Sequence, residues 1–263
     1  MKEIQEKLLE IQEQENVRIF YACESGSRAW GFPSVNSDYD VRFLYARPRD
    51  WYLSVDVEDR RDVIELPIEG DLDITGWDVR KALKLLRKSN PPLLEWLTSP
   101  IVYMEDREAS DKIRSLVPKC YSPTAYLYHY LQMARGNFRE YLKRDLVPVK
   151  KYFYVLRPLL AIKWIEEKSD VMPMEFGKLL THGISPSDLR KEIETLIERK
   201  KNGQELDHEP KIAIINDFIE RELKRLEPTI LDKRSDKLPI DSVNEVFRNI
   251  VDRSEIANRK SQI

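Results

Sequence analysis

The sequence predicts an α+β protein, with a mixed sheet flanked by helices in its first half and an all-α helical region in its second. Two observations support this prediction. Short apolar runs bounded by turn residues recur before residue 118, and longer runs with apolar residues three and four positions apart follow residue 123. The segment Pro118–Pro123 separates the two patterns. We therefore expect two domains, residues 1–118 and residues 119–263.

The first half begins with a helix and continues with strands separated by turns. Apolar residues Ile4, Leu8, Leu9 and Ile11 recur at helical spacing, which predicts a helix over 2–15. The elements predicted after it are strands 17–23 and 39–45, a loop or short helix at 48–56, a hairpin of strands 62–66 and 72–77, helices 79–88 and 93–97, and an edge strand 101–103.

The second half is predicted to consist of helices joined by polar linkers. Helices are expected at 123–144, 149–168, 186–200 and 212–226, and a last helix starts near Asp241. The polar stretches 201–210 and 230–239 are predicted linkers.

The composition fits a soluble, helix-rich globular protein, because 41% of the residues are apolar and 34% are charged. No apolar run approaches the ~20 residues that span a bilayer, and the charged N-terminal stretch does not resemble a signal peptide. The net charge of −2 argues against a surface made for non-specific DNA binding. Cys23 and Cys120 form no disulfide framework and no metal-ligand spacing, so we expect a cytoplasmic protein. Because no apolar run is long enough to span a bilayer, we expect no membrane partner.

A Gly-Ser turn followed by two carboxylates is the most informative motif. Asp38 and Asp40 are one residue apart, so on a strand they would project to the same face. Neighbouring carboxylates repel each other unless a cation lies between them, and oxygen ligands suit Mg²⁺. The N–H groups and hydroxyl of Gly26 and Ser27 suit the binding of a triphosphate. Together these features predict phosphoryl or nucleotidyl transfer.

This motif resembles that of the DNA polymerase β-like nucleotidyltransferase superfamily, whose mark is a Gly-Ser turn followed by Asp-x-Asp. The longer form is similar to one branch, the predicted nucleotidyltransferases of an RNA-repair-pathway polymerase-β family, in the residues GSRAWGF at 26–32 and SDYDVRF at 37–43. The resemblance extends through residue 103 and more faintly into residues 150–165. It implies a nucleotidyltransferase domain at the N-terminus that uses Mg²⁺ or Mn²⁺.

The superfamily places a third acidic residue on the strand next to the Asp-x-Asp strand, and the resemblance implies Asp73 for this role. The run DITGWD, which begins at Asp73, matches an element of this branch. Asp71 shares a face with Asp73 but lies at the edge of the predicted hairpin, where turn-forming residues are common. Asp78 precedes a helical run, so we expect it to cap that helix.

The resemblance also implies roles for the residues of the site. Two metal ions would be bridged by Asp38 and Asp40, while Asp73 would bind the catalytic ion and help to activate the attacking hydroxyl. An exposed arginine in a turn, such as Arg28, is about as often solvated as bound to a phosphate. Ser37 suits a turn cap as well as a phosphate ligand. The residues predicted to bind the nucleotide are Gly26, Ser27, Arg28, Ser37, Lys150 and Lys151, with Arg157 as a further candidate.

The stretch from Arg135 to Lys163 combines basic and aromatic residues. It contains eight basic and two acidic side chains, which gives a local charge of +6. The pattern is compatible with solvated helix faces packed on an aromatic core, and also with a wall that binds a polyanion.

Three functions therefore stay open at this point. The first is transfer of a nucleoside monophosphate from a nucleoside triphosphate, with ATP favoured, to a nucleic-acid end, with RNA favoured. The second is adenylylation of a protein or small molecule. The third is a binding module that keeps the fold without catalysis. The oligomeric state is not indicated by the sequence.

Overall fold

The chain divides into two units that each combine separate stretches of sequence. The computed structural model describes residues 1–203, 208–227 and 238–260, with side chains as far as Arg253. The first unit comprises Met1–Gly26, Asp38–Cys120 and Asp236–Ile263, and the second comprises Ser27–Ser37 and Tyr121–Ser235. Domains at 1–118 and 119–263 stay a prediction.

Helices account for most of the described chain. They are, in order, α1 (Lys2–Glu15), α2 (Gly26–Ala29), α3 (Arg49–Tyr52), α4 (Val79–Leu86), α5 (Pro91–Leu97), α6 (Arg107–Cys120), α7 (Pro123–Tyr141), α8 (Tyr152–Lys168), α9 (Phe176–Gly183), α10 (Asp188–Lys201), α11 (Ala213–Arg225) and α12 (Ile240–Lys260). No element had been predicted where α6 lies. Among the described residues, no helix combines the length and the apolar character needed to cross a bilayer.

The first unit is built on a five-stranded mixed sheet. Its strands are, in chain order, β1 (Arg18–Ser25), β2 (Tyr39–Ala46), β3 (Val63–Glu65), β4 (Leu72–Asp78) and β5 (Val102–Glu105). Across the sheet the order is β3-β4-β2-β1-β5, with β2 and β4 parallel and the other pairs antiparallel. The mixed sheet, the β3–β4 hairpin and the edge position of β5 confirm the sequence prediction.

Helix α1 covers one face of this sheet. Its buried side chains Ile4, Leu8 and Ile11 pack in one core with apolar side chains from all five strands. The predicted helix is confirmed, but Leu9 is 50% exposed and does not belong to the apolar face. Positions 4, 8 and 11 already complete one stripe of the helix, and Leu9 is turned about 100° away from Leu8.

A close contact fixes the alignment of β2 on β4. Phe43 lies opposite Gly76, and a Cβ atom at Gly76 would lie 2.1 Å from Phe43 Cε2. The ring of Phe43 therefore fills the space that any side chain at residue 76 would need. Because Phe43 is fully buried in the α1-facing core, its ring cannot move aside without disturbing close-packed neighbours.

The N-terminus of α4 is capped by Asp78, as predicted. The Asp78 carboxylate accepts a hydrogen bond from the Arg80 N–H at 2.7 Å and another from the Tyr52 hydroxyl at 2.7 Å. Asp78 is fully buried, and this burial raises the pKa of its carboxyl to about 6, although the two hydrogen bonds oppose the rise.

The second unit is mainly helical, but it also contains a small sheet. Strands β6 (Leu146–Pro148) and β7 (His208–Pro210) form an antiparallel pair. The prediction of an all-α region is therefore wrong in this detail, and 201–210 is not simply a linker. Strands of three residues are too short to show an alternating pattern in sequence. The predicted linker at 230–239 lies outside the described residues as far as residue 237.

Candidate active site

Asp40 and Asp73 lie side by side on neighbouring strands. The parallel pairing of β2 and β4 sets Asp40 directly opposite Asp73, and register partners project to the same face of a sheet. Both side chains are 30% exposed, so a ligand can reach them from solvent. Asp71 is exposed and precedes β4. Asp73, and not Asp71, therefore lies opposite Asp40, and its role as the third carboxylate stays a prediction.

Asp38 occupies a different local setting. It is exposed and precedes β2, which begins at Tyr39, so Asp38 and Asp40 do not alternate along one strand. In the part of the chain that the structure describes, no group of three Asp, Glu, His or Cys side chains is arranged to hold a metal ion. The structure thus brings Asp40 and Asp73 together, while the participation of Asp38 stays a prediction.

Gly26 brings the backbone of the Gly-Ser turn against Asp40. Its φ angle is +71°, which L side chains rarely adopt, and a Cβ atom there would lie 2.1 Å from Asp40 Oδ2. Only a residue without a side chain therefore lets the turn approach the carboxylate this closely. Gly26 also begins α2, and the first N–H groups of a helix have no partner within that helix.

Arg42 joins the two carboxylates and was not identified from the sequence. Its Nη2 atom donates to Asp73 Oδ2 at 2.7 Å and to Asp40 Oδ1 at 3.3 Å. Its Nη1 atom donates to the Asp73 carbonyl oxygen at 2.9 Å and to the Val41 carbonyl oxygen at 3.0 Å. The signal for it was available, because Arg42 follows Asp40 by two positions on the same strand.

Glu24 supports the backbone of Asp40 from inside the fold. It is fully buried, and its Oε1 atom accepts a hydrogen bond from the Asp40 N–H at 2.9 Å. Its Oε2 atom accepts a hydrogen bond from the Tyr103 hydroxyl. The sequence signal for Glu24 is a carboxylate directly after an apolar run, but Glu24 lies one residue beyond the predicted strand 17–23, so the sequence does not predict its burial.

Ser27, Arg28 and Ser37 belong to the second unit, where Arg28 is bonded to Ser37. Arg28 Nη2 donates to the Ser37 carbonyl oxygen at 2.6 Å. The Ser37 hydroxyl accepts a hydrogen bond from the Ser34 N–H at 2.8 Å and is bonded to the Ser34 hydroxyl at 2.9 Å. These bonds favour the alternative in which Ser37 closes the turn. Phosphate contacts of Ser27, Arg28 and Ser37 stay predictions.

Aromatic residues fix the same segment within the second unit. The guanidinium carbon of Arg157 lies 4.8 Å from the centroid of the Trp30 ring, and the ring centroids of Phe32 and Phe153 are 4.8 Å apart. The Phe176 N–H donates to the Trp30 carbonyl oxygen at 2.9 Å. Because Arg157 is only 3% exposed, its position favours a packing role over direct contact with a triphosphate.

The basic and aromatic stretch of the second unit is part core and part surface. Tyr152 and Phe153 are buried, which agrees with the packing alternative. Lys151 lies over two rings, with its Nζ atom 4.4 Å from the centroid of Tyr141 and 4.6 Å from that of Tyr154. The exposed basic side chains of this stretch, here called the basic surface, are Arg139, Lys143, Arg144 and Lys150.

Comparison with known proteins agrees with this arrangement. Residues 1–249 match the model of the family described as RlaP, RNA repair pathway DNA polymerase beta family. The chain is also 47% identical over 248 residues to the uncharacterized protein YcgL of Bacillus subtilis (strain 168), and this match covers 94% of the chain and 95% of YcgL. The chain therefore belongs to the RNA repair pathway DNA polymerase beta family, and this membership suggests nucleotidyltransferase activity.

Proposed function

We propose that this protein is a metal-dependent nucleotidyltransferase that transfers a nucleoside monophosphate from a nucleoside triphosphate to an acceptor hydroxyl. The observation that carries the proposal is the juxtaposition of Asp40 and Asp73 on one face of the sheet, with the backbone of Gly26 directly against Asp40. Membership in a polymerase beta-like family supports the same reaction class.

The chemistry of the two carboxylates that lie side by side suits a divalent cation. Asp40 and Asp73 offer carboxylate oxygens, which are the ligands that Mg²⁺ and Mn²⁺ prefer, and both are partly exposed. Asp38 is exposed and precedes β2, the strand that carries Asp40. We assign Asp38, Asp40 and Asp73 to metal binding. When bound, Mg²⁺ or Mn²⁺ supplies a Lewis acid that offsets the negative charge of the reacting phosphates.

The reaction replaces a phosphoanhydride bond of the nucleoside triphosphate with a phosphoester bond to the acceptor. The acceptor oxygen forms a bond to the α-phosphorus, the bond between the α-phosphorus and the bridging oxygen breaks, and pyrophosphate leaves. Asp73 assists removal of the proton from the acceptor hydroxyl, and Asp40 holds the reacting groups in place. The catalytic contribution of the protein is therefore positional and electrostatic.

The nucleotide-binding residues are proposed from the motif. Gly26 and Ser27 offer backbone N–H groups at the start of α2, and Arg28 adds a positive charge in the same turn. Ser37, Lys150 and Lys151 complete the set of residues proposed to bind the nucleoside triphosphate, for which ATP is favoured.

An RNA end is the favoured acceptor. The basic surface is exposed, and the neighbouring Tyr154, over whose ring Lys151 lies, is 44% exposed, so cations for phosphates lie next to an aromatic side chain on one stretch of chain. The family description refers to RNA repair, which points to the same acceptor. The two buried free cysteines, Cys23 and Cys120, suit the reducing cytoplasm in which such an acceptor is found.

The test is nucleotide transfer by the purified protein. Labelled ATP, CTP, GTP and UTP are each incubated with the protein, Mg²⁺ or Mn²⁺, and a short RNA with a free 3′ hydroxyl, and the products are separated on a denaturing gel. We expect label on the RNA. Label on the protein would instead support adenylylation of a protein, and no label with either metal would contradict the proposed enzyme.

Matched aspartate variants test the assignment. Asp40→Asn and Asp73→Asn should each lower turnover ~100-fold or more, since each factor of ten corresponds to about 1.4 kcal/mol of activation free energy. Asp71→Asn removes an exposed carboxylate two positions away and should leave turnover within about threefold of wild type. Equal turnover of the Asp73 and Asp71 variants would show that Asp73 has no special role.

A further inference from the structure

Arg42 donates hydrogen bonds to both of the carboxylates that are candidate metal ligands, Asp40 and Asp73. Its guanidinium reaches one oxygen of Asp40, one oxygen of Asp73 and the Asp73 carbonyl group, and its side chain is only 17% exposed. The contacts are unequal. The bond to Asp73 Oδ2 measures 2.7 Å and is reinforced through the backbone, whereas the bond to Asp40 Oδ1 measures 3.3 Å.

These contacts place a positive charge between two carboxylates that would otherwise repel each other. Without a counter-charge, the Asp40 and Asp73 carboxylates would repel each other and move apart. Arg42 is suited to this task because a guanidinium presents its donors in one fixed plane, which matches the geometry of carboxylates. It therefore keeps the two carboxylates together in the absence of any other cation.

The same positive charge opposes the entry of a metal ion. Asp38, Asp40 and Asp73 carry three negative charges, and Arg42 reduces the total to two, which one divalent cation balances. A cation that binds Asp40 through Oδ1 has to displace the weaker of the two Arg42 contacts, while the stronger contact continues to hold Asp73.

We propose that Arg42 is a positioning residue that acts as a built-in counter-ion: it holds Asp73 beside Asp40 and competes with the first divalent cation for Asp40. This inference rests on the proposed function, because it assumes that these carboxylates bind a metal ion. Competition with Arg42 predicts that the first divalent cation binds weakly before the nucleotide arrives. A second cation is favoured only when the negative charge of a triphosphate is added.

The test is direct binding of Mn²⁺ without nucleotide, followed through the paramagnetic resonance signal of free Mn²⁺. Arg42→Met removes the charge and keeps much of the side-chain length. We expect this variant to bind the first Mn²⁺ about tenfold or more tightly than wild type, because a unit positive charge next to the ligands has been removed and the bound Mn²⁺ itself supplies the charge that keeps the two carboxylates together. Arg42→Lys retains the charge and should stay within about threefold of wild type.

Arg47→Met is the matched control. Arg47 follows β2, its side chain is 16% exposed, and it pairs with Glu15 at 3.3 Å, away from the carboxylates. Circular dichroism and thermal unfolding establish that each variant is folded. Arg47→Met should bind Mn²⁺ as wild type does.

Mn²⁺ affinity that is unchanged or weaker in Arg42→Met overturns the inference, and so does a tenfold gain that appears equally in Arg42→Lys. Absence of Mn²⁺ binding from both wild type and Arg42→Met overturns it as well. The titration needs no triphosphate and no acceptor. Arg42-dependent Mn²⁺ binding without nucleotide transfer would therefore contradict the proposed function while supporting the role of Arg42.

Discussion

Replacing Gly26 with alanine tests whether the close approach of the Gly-Ser turn to Asp40 matters. The added Cβ atom would lie 2.1 Å from Asp40 Oδ2 and 2.8 Å from Asp40 Cγ. The first distance is about 1 Å short of a normal non-bonded contact, so either the turn or the carboxylate has to move by roughly that amount. The φ angle of +71° adds backbone strain of about 1–2 kcal/mol for a residue with a side chain.

The two effects predict different readouts. The strain and the displaced side chain together should lower the free energy of unfolding by about 2–3 kcal/mol, since an off-rotamer carboxylate costs about 1 kcal/mol. A shift of about 1 Å in a catalytic group can lower turnover ~100-fold. Urea unfolding measures the first quantity, and nucleotide transfer to RNA measures the second.

Gly70→Ala separates strain from displacement. Gly70 has a φ angle of +59°, and a Cβ atom there would meet nothing within 4 Å. This variant should lose about 1 kcal/mol of stability through backbone strain and keep wild-type turnover. If Gly26→Ala and Gly70→Ala have equal turnover, the contact between the turn and Asp40 has no catalytic importance and the reasoning is refuted.

Two further predictions concern buried carboxylates. Because burial raises the pKa of Asp78 to about 6, the folded protein binds a proton more readily than the unfolded chain, and the contribution of Asp78 to stability should fall by about 2 kcal/mol as the pH rises from 4 to 7. Asp78→Asn keeps a capping oxygen and should remove this slope in urea unfolding; an unchanged slope would contradict the assignment. Glu24→Leu leaves the Asp40 N–H and the Tyr103 hydroxyl without their acceptor and should lower the free energy of unfolding by about 1–3 kcal/mol. Glu24→Gln keeps an acceptor and should lose less, so equal losses would argue against the hydrogen bonds.

Much of the first unit could be predicted because its signals are local. Short apolar runs and turn residues locate β1, β2 and the β3–β4 hairpin, and a carboxylate immediately before a helical run identifies the Asp78 cap. The juxtaposition of Asp40 and Asp73 was expected through the family resemblance, since the pattern of one strand does not reveal its neighbour.

The remaining features depend on partners far apart in the chain. Glu24 bonds to residues 16 and 79 positions away, so its role depends on how β1 pairs on both sides. Arg42 could be placed on the same face as Asp40, but its bond to Asp73 spans 31 positions and requires the parallel pairing. The β6–β7 pair is too short to leave a pattern, and Trp30 is fixed by Arg157, which follows much later.

The absence of a side chain at Gly76 favours one alignment of β2 on β4. If β2 slid by two residues along β4, every side chain would keep its face of the sheet, and Asp40 would come to lie opposite Asp71, which is also an aspartate. The same slide would set the ring of Phe43 against Ile74, where a branched side chain leaves no recess for it. The packing of Phe43 against Gly76 on one face of the sheet therefore favours Asp73 over Asp71 as the residue opposite Asp40 on the other face.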